Sequence, residues 1–455
     1  MLPNLSMSAS ASSNLLQTGV FELEKKLINL TADIERWFRL QWKTHQPPVY
    51  GSVDLRNAGY KLAPVDTNLF PGGFNNLATD VLPLAVQAAM SLAEHACPDA
   101  KNLLLIPENH TRNQFYLTNV IRLAAILRQA GFVVRLGSLN PDIQQATQIV
   151  LDSGESMLLE PLIREEVNGS ARVMLKDFDP CFILLNNDLS AGTPDILRNL
   201  NGQMLMPPLH AGWTLRKKSV HFAAFDQVAR DFGAAFDFDP WLFSPYFGHC
   251  GQVDFQTRSG TDCLESQVAI VLDQIKRKYR EYQIDDEPFV IVKADAGTYG
   301  MGIMTVKSPE DVRDLNRKTR NKMAVIKDGL AVSDVIIQEG VRSLERVDQA
   351  VAEPVVYMMD RYVVGGFYRS HAERGQDENL NAPGMRFDPV TLSSTLEKST
   401  NECLAHFNRS CHEPTCLMGA CEPNRFYAYG VVARMALLAA SIELEQTQSL
   451  LNPQS

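Results

Sequence analysis

The stretch PFVIVKADAGTYGMGIMTV, residues 288–306, decides how this chain is read. Phe289, Val290, Ile291 and Val292 form an apolar, β-branched run with no breaker inside it, which predicts a buried strand ending at Lys293. Gly297, Gly300 and Gly302 follow in a G-x-x-G-x-G spacing, and Ile303–Val306 reads as a second strand. Glycines in such a loop let backbone N–H groups approach a polyanion, and a lysine just upstream supplies a compact positive charge. No G-K-[ST] follows, so this is not a P-loop. The loop leads into a strand rather than a helix, so it is not the dinucleotide fingerprint. On this stretch alone, a plain hairpin with a glycine-rich turn stays open.

Composition narrows the classes. A chain of 455 residues is expected to fold as two or three packed units. Its 45% hydrophobic and 21% charged content is that of a globular protein. A net charge of −10 argues against a dedicated nucleic-acid binder, though not against an enzyme with local cations. No apolar run suggests a membrane span. Residues 1–20 lack a basic start and an apolar core, so a flexible tail is expected there rather than a signal peptide. Eight cysteines without an export signal fit reduced thiols and a cytoplasmic setting.

Upstream, residues 21–43 have helical spacing that Pro47 and Pro48 end. Residues 50–77, YGSVDLRNAGYKLAPVDTNLFPGGFNNL, mix charge with turn residues and predict a binding loop. Arg56 suits a carboxylate held by two parallel hydrogen bonds, and Asp54 and Asp66 suit an α-ammonium; Lys61, Asn68 and Asn75 complete the candidate set for a zwitterion. A solvated loop with satisfied turns is the competing reading. Strands at Asn102–Ile106 and Phe132–Leu136 flank a helix, giving a β-α-β unit with a parallel sheet. The loop at the carboxyl end of its first strand carries Glu108, His110 and Arg112, secondary candidates by position. Lys217 and Lys218 are candidate phosphate contacts that sequence cannot separate. Residues 240–262 read as a lid or linker, Val335–Gln338 as a strand, and residues 355–364 as a tight strand pair before Arg369. Asp377–Asn381 forms an oxygen-rich loop, and residues 426–445 a last apolar helix. The cysteines at 403, 411, 416 and 421 lack the close pairs usual for zinc, which leaves reduced thiols, zinc or a redox disulfide open.

The order Lys293, glycine loop, Gln338-Glu339, a V-V-G-G hairpin with Arg369, then Asn379-Leu380-Asn381 resembles the ATP-grasp superfamily. With VDLRNAGYKLAPVDTNLFPGGFNNL, EPVVYMMDRYVVGGFYRSH, DENLNAPGM and YAYGVVARMALLAASIELE added, the chain from about Tyr50 to Glu445 resembles the proteobacterial, ATP-grasp-type glutamate–cysteine ligase family. The resemblance implies an α/β and α+β fold: a tail at 1–20, an N-terminal parallel α/β amino-acid-binding domain at 21–205, and an ATP-grasp-like two-lobed catalytic region at 206–455. It implies that ATP, glutamate and cysteine give γ-glutamylcysteine through an acyl phosphate, the first step of glutathione synthesis. Lys293 and Gly297, Gly300 and Gly302 would then contact phosphates, Gln338, Glu339 and Val341 would line the adenine, and Arg369 would stabilise the intermediate. Magnesium is implied as well. Glu378, Asn379 and Asn381 are hard oxygen donors for it, and Asp360 is another candidate. A ligase using another amine, or a nucleotide-binding regulator without turnover, are the alternatives. The oligomeric state is left open, a homo-oligomer included.

Overall fold

The computed structural model describes residues 21–96, 98–167, 169–200, 202–297, 302–324, 332–391 and 425–451. Gly300 and the cysteine segment 403–421 lie outside them.

The chain begins with helices Phe21–Asn29 (α1) and Thr31–Thr44 (α2), then strands Tyr50–Asn57 (β1) and Leu62–Asn68 (β2). Next come helix Leu82–Ala96 (α3), strand Asn102–Pro107 (β3), helix Gln114–Gln129 (α4) and strands Val133–Ser138 (β4), Thr147–Val150 (β5) and Ser156–Pro161 (β6). A hairpin of Ile163–Val167 (β7) and Ser170–Met174 (β8) precedes strands Phe182–Asn186 (β9) and Met204–Met206 (β10). Helix Lys218–Phe236 (α5), strand Phe247–Cys250 (β11), helix Thr261–Glu281 (α6) and strands Val290–Ala294 (β12) and Ile303–Val306 (β13) follow. Short helices Pro309–Arg313 (α7) and Arg317–Ala324 (α8) lead to strands Val335–Glu339 (β14), Arg346–Val347 (β15), Ala350–Met359 (β16), Tyr362–His371 (β17) and Arg386–Pro389 (β18), and to helix Arg425–Leu451 (α9).

Three main sheets result. β10-β9-β3-β4-β6 run parallel, with β5 antiparallel at the edge, as the β-α-β reading predicts. β11-β14-β12-β13 form an antiparallel sheet, with Lys293 paired to Ile303 across the predicted hairpin. The third sheet, β18-β17-β16-β1-β2, joins the two halves of the chain: β1 pairs antiparallel with β16, Asp54 opposite Val355. This pairing crosses the boundary expected at residue 205.

Residues 50–68 are therefore not the predicted loop. β1 alternates: Val53 and Leu55 are fully buried against α5 and α9, while Asp54 and Arg56 point to the opposite face. Alternate polar positions on a strand facing a cleft give the same composition as a charged loop. A β-bulge between Asp54 and Leu55 interrupts the pairing with β2.

α9 is long and apolar enough, by composition, to cross a membrane, with a mean hydropathy of 1.3 over its best window. Yet 78% of that window is buried inside the protein, and its Val432, Ala436 and Leu437 pack with Val53, Val356 and Phe225. It is the core helix behind the joining sheet.

The expectation of reduced thiols fails at one pair. Cys250 at the end of β11 and Cys263 in the first turn of α6 form a disulfide. Their Cα atoms are 6.3 Å apart, within ordinary bridging distance.

Candidate active site

The joining sheet, the β11–β14 sheet and the loop before α4 enclose a cavity of about 410 Å³. Its floor is the polar face of the joining sheet. Asp66 on β2 faces Asp54 on β1, and Glu353 on β16 faces Arg369 on β17, so acids and an arginine form a row across four strands.

Arg369 is the centre of this row. Its Nη1 donates to Asp54 Oδ2 at 2.7 Å and to Glu353 Oε1 at 2.8 Å. Its Nε is buried without a partner among the described residues. A buried donor left unpaired costs free energy, so the group is set to receive an acceptor from a ligand. Burial raises the Asp54 carboxyl, and Arg369 offsets this only in part.

At the β2 end the charges are cationic. Lys218 donates to Asp66 at 2.6 Å, and Lys293 donates to the Val65 carbonyl at 2.7 Å. Burial raises the Asp66 carboxyl, but Lys218 and Lys293 outweigh it and hold it well below the usual range. Burial lowers the Lys293 ammonium to about 8, against the pull of Asp66. The two lysines that sequence could not separate differ in placement. Lys218 lines the cavity, whereas Lys217 sits outside it, 3.3 Å from Asp334. Gly297 lines the cavity with φ of 87°; Gly302, with φ of 60°, does not line it.

Gln338, Glu339 and Val341 line the same cavity as Lys293. The Gln338 Nε2 is buried and unpartnered among the described residues, a second donor without an acceptor. Glu339 is already engaged. It accepts from Lys61 at 2.9 Å, from the Tyr246 N–H at 2.9 Å and from Trp241 Nε1 at 3.1 Å.

That engagement moves Lys61 out of the substrate set. It is fully buried, away from the cavity, and lies 4.4 Å over the Trp241 ring. Arg56 borders the cavity but does not hold a carboxylate from solution. Its Nε binds Glu353 at 2.9 Å, and its Nη atoms donate to the Gln376 and Glu378 carbonyls at 2.9 and 2.6 Å. Arg56 therefore fastens the 376–381 loop to β1. Asn68 lines the cavity but caps its own turn through the Phe70 N–H at 2.8 Å. Of the adjacent asparagines, Asn76 lines the cavity and Asn75 does not. Gly73 beside it needs its missing side chain: a Cβ there would come within 2.5 Å of the Tyr357 hydroxyl.

The proposed magnesium donors divide. Asp360 lies at the β16–β17 turn, accepts from the Ser91 hydroxyl at 2.9 Å and does not line the cavity. Glu378, Asn379 and Asn381 do line it, but Glu378 accepts from Arg374 and the Gly375 N–H, and Asn379 from the Asn381 N–H. Among the described residues no three His, Cys, Asp or Glu side chains gather as a metal set. Asp54 and Glu353 are two further carboxylates in the cavity, but Asp54 is held by Arg369 and Glu353 by Arg369 and Arg56, so neither is an open metal ligand.

Sequence reading missed Glu353, which appears only as one apolar-flanked acid in AVAEPVV. A single charge in a β-branched run, opposite an arginine, was the available signal.

A cavity with lysines and a glycine-loop end on one side, and a buried arginine–carboxylate row across its floor, belongs to an enzyme of mixed α/β fold that handles anionic small molecules. The glutamate–cysteine ligase family model matches residues 24–444, and the chain belongs to that family. A protein of Methylobacillus flagellatus, provisionally described from its crystal structure at 1.90 Å as a γ-glutamylcysteine synthetase, is 59% identical; the match covers 95% of this chain and 97% of that one, with a TM-score of 0.82. A glutathione synthetase-like effector of Globodera pallida matches at 9% identity, over 86% of this chain and 87% of that one, with a TM-score of 0.39, too low to bear on the fold. No curated protein matches the chain. The protein is a ligase that joins glutamate to cysteine, the first step of glutathione biosynthesis.

Proposed function

We propose that this ligase works in the manner of an ATP-grasp enzyme, with one cavity serving both half-reactions. The observation that carries the reading is that Lys293, Lys218, Gln338 and Arg369 all face one cavity. ATP lies with its phosphates at Lys293 and Lys218 and its base against Gln338 and Val341, where the unpaired Gln338 Nε2 meets a ring acceptor. Gly297, which lines the cavity, approaches the phosphates through its backbone. A carboxylate is a poor electrophile, so the γ-carboxylate of glutamate first attacks the γ-phosphate of ATP. Arg369, whose Nε lacks an acceptor, holds the developing acyl phosphate. The amine of cysteine then attacks the carbonyl, and phosphate leaves. Magnesium, if bound, would add neutralisation of phosphate charge, with Glu378, Asn379 and Asn381 the oxygen donors along the cavity.

On this reading the segment before residue 205 reads the amino acid and the later segment holds the nucleotide, although β1 and β2 belong to a shared floor. The test is phosphate release from ATP, magnesium and glutamate with each amino acid added in turn. Cysteine is expected to stimulate release most strongly; release without any preference for cysteine would overturn the reading.

A further inference from the structure

The end of the cavity farthest from the lysines has a different chemistry. Past Arg369 on the floor, its direct cross-strand partner is Phe387 on β18. The Phe387 ring stacks on Phe115 at 5.4 Å, and both line the cavity. Beside this apolar wall, the Glu108 carboxylate and the His110 Nε2 are 2.8 Å apart, with Glu108 nearly buried and His110 open. Both line the cavity.

This pair is held in place. Tyr116 accepts from the Glu108 N–H at 2.9 Å and donates to the Asn186 carbonyl at 2.6 Å, and its ring lies edge-on to His110 at 5.8 Å. Asn186 in turn donates to the Pro71 carbonyl at 2.9 Å. The loop after β3 and the loop after β2 are thus fixed to one residue at the end of β9, which orients both walls before a ligand arrives.

Resting on the ligase reading above, we propose that Glu108 and His110 form the clamp for the α-amino-acid end of glutamate, Glu108 taking the α-ammonium and His110 the α-carboxylate. The phosphates occupy the lysine end, so a substrate carboxylate activated at Arg369 must trail away from it. One strand spacing is about 4.8 Å, so the methylenes of glutamate cross Phe387 and bring its α-carbon toward Phe115 and the pair. One acid and one imidazole, paired with each other at 2.8 Å, exchange that contact for the ammonium and carboxylate of a zwitterion. A dicarboxylate or a simple ω-amino acid matches only one of them. The cations on the β1–β2 side are already committed: Arg56 to the 376–381 loop and Lys61 to Glu339.

The test compares the full-length enzyme with Glu108→Gln and His110→Gln. Glutamate is set against glutarate, which lacks the ammonium, and against 4-aminobutyrate, which lacks the α-carboxylate. Glu108→Gln is expected to raise KM for glutamate at least tenfold, with KM for ATP and cysteine within twofold, and to narrow the preference for glutamate over glutarate at least tenfold. His110→Gln, at an open position, is expected to narrow the preference over 4-aminobutyrate. An equal rise in all three KM values, a rise for cysteine alone, or unchanged preferences would overturn the clamp. Calorimetric binding of glutamate and glutarate to the same three proteins reads the clamp without turnover. If the wild type prefers glutamate there but releases no phosphate with cysteine, the ligase reading fails and the clamp stands.

Discussion

Glu353 lies directly across from Arg369 on the neighbouring strand and also accepts the Arg56 Nε–H at 2.9 Å, so one buried carboxylate bridges two buried guanidinium groups. Removing it leaves Arg56 with carbonyl acceptors alone and Arg369 with Asp54 as its one carboxylate among the described residues. Glu353→Ala is expected to cost roughly 3–5 kcal/mol of stability, the range for breaking a buried pair. Urea denaturation measures this, and an unchanged midpoint would refute the role given to Glu353.

Arg369→Lys keeps a positive charge but loses the planar fork and the Nε donor. Phosphate release is expected to fall about a hundredfold, as for loss of one donor to a developing anion. Glutamate KM should change much less than kcat. The opposite split would make Arg369 a binding group rather than a stabiliser of the intermediate.

Lys217 and Lys218 are neighbours in sequence but only Lys218 faces the cavity. Lys218→Ala should raise KM for ATP at least tenfold, whereas Lys217→Ala should leave it within twofold. Equal effects would refute the separate placement of the two lysines as the basis of ATP binding.

Burial lowers the Lys293 ammonium to about 8. The charged form binds phosphate and is lost as pH rises through that value. The free-enzyme profile of kcat/KM for ATP should be flat on the acid side of about 8 and fall on the alkaline side. Lys293→Arg should remove this alkaline limb, because arginine stays charged throughout. An identical limb in the variant would assign it to another group.

Glu443 on α9 accepts from Arg216 at 2.8 and 2.9 Å and lies 2.9 Å from His221, fully inside the protein. Burial raises its carboxyl, but Arg216 and His221 outweigh this and bring it to about 2, below the ordinary 4.5. The folded value is depressed, so this stabilisation is present above pH 4.5 and disappears as pH falls toward 2. It is worth on the order of 3 kcal/mol. Glu443→Gln should be less stable than the wild type at pH 7 and approach it in acid; a constant gap across the range would refute the linkage.

The hairpin around Lys293 was legible because a β-branched run, a glycine loop and a second run are local signals. The parallel sheet was legible for the same reason, since β3, α4 and β4 are consecutive. Residues 50–68 were misread because a strand with one face on a cleft alternates charge and apolarity, and composition averages over the two faces. Whether a charged side chain meets a ligand or a partner inside the fold depends on distant chain. Glu353 lies 297 residues from Arg56, and Glu339 lies 278 from Lys61, and no pattern near either cation announces them. Lys218 was separable from Lys217 only once α5 fixed which side chain turned inward.

The joining sheet also sets a timetable. Asp54 meets Arg369 across 315 residues, so the β1–β2 pair leaves the ribosome on the order of tens of seconds before β16, the other partner of β1, exists. During that interval two polar-faced strands must be kept from pairing elsewhere. The bulge between Asp54 and Leu55 and the acids facing one another on β1 and β2 make them poor templates for foreign strands. The row of charges that serves chemistry in the finished enzyme thereby guards the nascent one against aggregation.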